Sequence, residues 1–70
     1  MMPLSFAEVG EPQVIMRIGG SPETKKHLED LGFHVGGEIK VMNAIGGNLI
    51  VNVKECRVAV SRELANKIMI

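Results

Sequence analysis

The sequence predicts a small, mostly β domain in which about five short antiparallel strands close around one core. One short α-helix follows the first long strand, and a short helical turn lies near the C-terminus. Three observations carry this reading. Apolar residues recur at every second position in short runs, the period of a strand with one covered face. Glycines separate the runs at the spacing that tight turns require. Only one longer segment carries both a helix start and a helix stop. Seventy residues allow one core, so residues 1–70 form a single domain.

The chain begins with an entry segment, Leu4 to Gly10, in which Leu4 and Phe6 alternate with Ser5 and Ala7 before the break Gly10-Glu11-Pro12. It is expected to cover one end of the barrel. Gln13 to Gly19 reads as the first strand, with Val14, Met16 and Ile18 on one face and Ile15 and Arg17 on the other. Gly19-Gly20 breaks it. In Ser21-Pro22-Glu23 a hydroxyl caps free N–H groups, a proline occupies the first helical position, and an acid faces the positive end of the dipole. The helix runs to about Leu31, with Leu28 and Leu31 on its buried side, and Gly32 stops it in a left-handed cap over which Phe33 folds back.

After Gly36-Gly37, the alternation in Glu38–Asn43 places Ile39 and Val41 on one face of a second strand. Ile45-Gly46-Gly47-Asn48 makes a hairpin loop. Leu49–Val53 follows as a third strand with Leu49, Val51 and Val53 inward, and Lys54-Glu55 turns the chain into a fourth, Cys56–Val60. Ser61 caps a last helical turn, Arg62 to Asn66, before the apolar end Ile68-Met69-Ile70. Strands this short cannot hide both faces in an open sheet, and closure pairs their edges around one core.

Eight basic and eight acidic side chains cancel, so no overall field draws the chain to phosphate backbones or anionic lipid. The only aromatics are Phe6 and Phe33, too few for a single-strand stacking platform. A nucleic-acid partner is not expected, and a salt-dependent gel shift is the discriminating experiment. No apolar stretch approaches the roughly 20 residues that span a bilayer, so no direct membrane insertion is expected. Cys56 is the only cysteine, which removes internal disulfides. A lone thiol and an N-terminus without a secretory pattern fit a cytoplasmic protein.

Catalysis has little to stand on. Cys56, His27, His34 and the serines at 5, 21 and 61 form no nucleophile–base motif, and Cys56 reads as a partly buried, inert strand residue. The chain is therefore not expected to be an enzyme. His27 and His34 are seven residues apart with a helix end between them, unlike a ligand pair on one helical face. No cofactor and no preformed metal site are expected. Glu29, Asp30 and a histidine leave room only for weak Fe(II) or Zn(II) binding. Gly19-Gly20-Ser21-Pro22 lacks the Gly-Lys-Ser/Thr ending of a phosphate-cradling loop and reads as a turn.

Several features together resemble one family. Leu4 and Gly10, Val14–Gly20, Leu28-x-x-Leu31-Gly32-Phe33, Gly36, Ile39-x-Val41, and Arg57–Val60 followed by Glu63, Ala65 and Ile68 are similar in order and spacing to FeoA. The similarity runs over nearly the whole chain. It implies an SH3-like barrel acting in bacterial ferrous-iron transport on or beside the FeoB membrane GTPase-permease. Related domains close metal-dependent repressors, which leaves a metal-responsive regulatory domain, binding a transition metal ion or a repressor, as the alternative. Lys54-Glu55 departs from the family's usual glycine at that turn.

A small domain cannot bury every large apolar group, and an apolar surplus on such a barrel marks a protein–protein contact. Leu31, Phe33 and Met42 are expected where the helix meets the barrel, with His27, Met42 and Asn43 at the rim. These five residues, His27, Leu31, Phe33, Met42 and Asn43, form the expected partner-binding surface. The oligomeric state is left open.

Overall fold

In the computed structural model, which describes residues 1–70, the helical signals act where they were read. The helix α1 spans Pro22–Asp30, and the Ser21 hydroxyl oxygen accepts the Thr24 N–H at 3.2 Å. At its other end Gly32 adopts φ +106°, a conformation open to residues without a Cβ. The Gly32 N–H then donates to the Glu29 carbonyl and the Phe33 N–H to the Leu28 carbonyl, at 2.9 and 3.0 Å. This crossed pair satisfies the last carbonyls and turns Phe33 back under the helix, into the core beside Leu28. A second short helix, α2, spans Arg62–Ala65 and is capped by Ser61 through Leu64 N–H.

The strands are β1 (Pro12–Val14), β2 (Arg17–Ile18), β3 (Glu38–Ile45), β4 (Asn48–Val53), β5 (Cys56–Ser61) and β6 (Ile68–Met69). A four-stranded antiparallel sheet runs in the order β1-β3-β4-β5, and β2 pairs with β6 in a second sheet. The single long first strand of the sequence reading is thus two short ones. Ile15 and Met16 carry the chain from one sheet to the other, with the Ile15 N–H donating to Gly37 and the Met16 N–H to Met69. That crossing links the two sheets, because one segment serves an edge of each.

Burial follows from the crossing. Ile15 points into the core, whereas Val14 and Met16 on either side of it face solvent. Ile39, Val41, Leu49, Val51, Val53 and Val60 supply the inner face of the larger sheet, and Leu4, Leu28, Phe33, Ala65 and Ile68 close the ends. Leu4 and Phe6 do not share a face as alternation suggested. They lie in a 3-10 turn, Leu4–Phe6, where residues two apart point to different sides, so Leu4 is buried and Phe6 exposed. The Ser5 hydroxyl donates to the Asn66 side chain and ties this turn to the end of α2. The apolar C-terminus is a strand, with Ile70 exchanging backbone bonds with Met2 at 2.9 and 3.0 Å.

The β4–β5 hairpin turn holds Lys54 and Glu55 at φ +50° and +64°. The two-residue turn therefore keeps left-handed geometry without glycine, at a cost of about 1 kcal/mol or more. Replacing Lys54-Glu55 by Asn-Gly is expected to raise stability by about 1 kcal/mol, read as a higher urea midpoint at unchanged slope. A midpoint that stays or falls would show that the turn carries no such strain.

Candidate functional site

Side chains alternate across the larger sheet, so the residues between its buried positions form an outer face. Register aligns Pro12 with Lys40, Lys40 with Asn52 and Asn52 with Arg57, a polar row running over all four strands. Three of these residues, Pro12, Lys40 and Asn52, also line a shallow groove of about 400 Å³ together with Glu38, Ile39, Lys54 and Glu55. Both charge signs line it.

Further along β3, register slips between Val41 and Asn43, leaving Met42 as the extra residue of a β-bulge opposite Ile50. Asn43 pairs with Ile50 and Ile50 with Ala59, which puts a second, more apolar row on the same outer face. The Asn43 side-chain oxygen accepts the Ala44 N–H at 2.8 Å and stiffens the bulge.

The five residues expected to form one contact rim separate. His27 is exposed on α1 and Leu31 half-buried at its end, while Gly32 approaches Val53 on the inner side of the sheet. Asn43, with Met42 beside it at the bulge, belongs to the outer side. Phe33 is 0% exposed, so in this conformation it is a core residue and not a contact. Its burial follows from the crossed cap at Gly32, which reverses the chain before the ring leaves the barrel. Cys56, expected to be partly buried, is exposed, because it directly follows the hairpin turn at the open end of the sheet.

An apolar cluster that alternation alone did not single out lies at the β1–β2 crossing. Val14, Met16 and Val35 are 49%, 56% and 65% exposed. Gly36, next to Val35, donates to the Ile15 carbonyl at 2.7 Å, which holds the three near one another. The signal in the sequence was the run Val14-Ile15-Met16, too apolar for a strand with one solvent face. No three His, Cys, Asp or Glu side chains gather in a way that would hold a metal ion.

A split first strand shared by two antiparallel sheets, with the helix inserted before β3, makes this an SH3-like barrel. The chain belongs to the FeoA domain family, whose pattern it matches over residues 2–70. A protein of Methanocaldococcus jannaschii, provisionally named Fe(2+) transport protein A, is 33% identical over 70 residues, covering 100% of this chain and 85% of that protein. A crystal structure described as iron uptake regulatory protein FeoA superposes with a TM-score of 0.89 at 28% identity, over 97% of this chain and 90% of the other. The solution structure of iron(II) transport protein A from Clostridium thermocellum gives a TM-score of 0.91 at 26% identity, over 97% of this chain and 43% of that one.

Proposed function

We propose that this chain is a non-enzymatic, cytoplasmic accessory of ferrous-iron uptake that docks on the cytosolic part of a FeoB-like membrane GTPase-permease and modulates it. The observation that carries the reading is membership of the FeoA domain family over residues 2–70, with a relative named for Fe(2+) transport. No helix of the chain is long and apolar enough to cross a membrane. The exposed cluster Val14, Met16 and Val35 is the contact surface, since adjoining exposed apolar groups on a small domain mark association sites. Modulation requires different affinities for two states of the permease, because a ligand that binds both equally shifts neither.

The test is capture of the purified permease cytosolic domain by this chain, with Val14→Asp/Met16→Asp as the surface variant. Capture by the parent chain and its loss in the variant, with circular dichroism unchanged, is the expected result. Undiminished Fe(II) uptake after deletion of the gene would remove the proposal. Iron is cargo of the transport system in this reading. Titration of the isolated chain with Fe(II) or Zn(II) is therefore expected to show no tight stoichiometric site, and a micromolar or better site would favour the metal-responsive alternative.

A further inference from the structure

The two edges of the larger sheet are unlike. At one edge β1 is three residues long, begins with Pro12 and leaves the sheet at once for the other. Those are protections that natural edge strands use against pairing with another chain. At the other edge β5 runs six residues in unbroken register with β4, without proline or bulge, and Arg57 is its one charged side chain.

The hydrogen-bonding direction along β5 follows from one bond. Arg62 N–H donates to the Gly47 carbonyl at 2.9 Å, one step beyond the pair Asn48–Ser61. Antiparallel bonding alternates, so Val60, Val58 and Cys56 bond inward to β4. Arg57 and Ala59 therefore turn their N–H and C=O groups outward, and both are exposed. No strand pairs with that side of β5.

We propose that the outer edge of β5 pairs antiparallel with β5 of a second copy of this chain, on a two-fold axis at Ala59. Self-complementarity selects this occupant. With Ala59 opposite its own counterpart, Arg57 faces Ser61 of the other copy, so the cations are kept apart. The outer row Asn43–Ile50–Ala59 continues into the same row reversed, giving one apolar band across both sheets. Centring the pairing on Arg57 instead would set the two Arg57 side chains opposite each other, and centring it on Val58 would put each Arg57 opposite Ala59 of the other copy and interrupt the band. Paired edges alone bury less than the roughly 1,200 Å² of a standard interface, so the dimer is a weak, concentration-dependent one. It uses the edge opposite the Val14–Met16–Val35 cluster and stands or falls independently of the docking proposal.

Sedimentation equilibrium from about 10 μM to about 1 mM tests it, the span over which a weak dimer of this kind populates. Dimer is expected to accumulate across that range for the parent chain. Ala59→Pro removes an outward N–H that no bond to β4 uses, a change edge strands tolerate, and Ala59→Asp sets two carboxylates across the axis. Both variants are expected to stay monomeric at every concentration with unchanged circular dichroism. In a Cys56→Ser background, Ala59→Cys is expected to form an intermolecular disulfide under mild oxidation, because facing bonded residues lie about 5.5 Å apart at Cα. A parent chain monomeric at about 1 mM, or a dimer indifferent to both Ala59 substitutions, overturns the proposal; in the first case an extended segment of another protein becomes the occupant to test.

Discussion

Phe33→Ala is expected to leave the chain unfolded at room temperature. Phe33 is the largest of the fully buried side chains and lies in the core with Leu28, Ile39 and Val53. Truncating a buried phenylalanine costs about 3–5 kcal/mol through lost transfer energy and the cavity left behind. A core of this size supplies only about 3–5 kcal/mol of net stability in total. The loss thus equals the whole margin, and far-UV circular dichroism should show the β signal gone without denaturant. Phe33→Leu keeps most of the apolar volume and is expected to fold with a lowered urea midpoint. If Phe33→Ala instead folded with parental stability and lost only partner capture, the ring would be a surface contact and the core described above would be wrong.

The second large effect is at Gly20, and Gly19 is its control. Gly20 has φ +97°, and a Cβ there would lie 3.1 Å from Thr24 Cγ2 and 3.3 Å from Thr24 Cβ. Thr24 cannot retreat freely, since its N–H donates to the Ser21 hydroxyl oxygen and its own hydroxyl is 3.0 Å from the same atom. Gly20→Ala therefore combines backbone strain of about 1–3 kcal/mol with loss of a helix cap worth about 1 kcal/mol. At Gly19 φ is not left-handed, and an added Cβ would meet only the Lys67 carbonyl oxygen at an ordinary 3.6 Å. Urea midpoints are expected to fall sharply for Gly20→Ala and little for Gly19→Ala. Equal midpoints would mean that the loop tolerates a side chain at both positions. The pair also gives Gly20 a steric reason for being glycine that involves no phosphate.

Much of the fold was legible because it rests on local chemistry. Ser21 and Ser61 mark their helices by supplying hydroxyls to orphan N–H groups, and Gly32 ends α1 through a conformation that belongs to its own backbone. In Leu49–Val53 the polar Asn52 and exposed Asn48 leave no ambiguity about which side chains face inward. The FeoA likeness was legible for the same reason, since glycines and alternating strands recur at fixed spacing. The candidate surface was less so. A contact surface depends on which large apolar groups are left over once the core is filled, and that is a property of the whole packing.

Val14-Ile15-Met16 shows the difference most plainly. Period-two alternation separates Ile15 from its neighbours, but three apolar residues in a row do not say which side is inside. The choice was made by the crossing of the chain between two sheets, which turns Ile15 to the core and leaves Val14 and Met16 in solvent. The two-residue strands β2 and β6 exist only through each other, far apart in sequence, and no local preference could announce them. By itself the sequence determined about where the two helices and the strands β3, β4 and β5 start and stop, and what family they belong to. Tertiary structure alone decided which faces meet, because short strands carry too few side chains to select a face until their partners are in place.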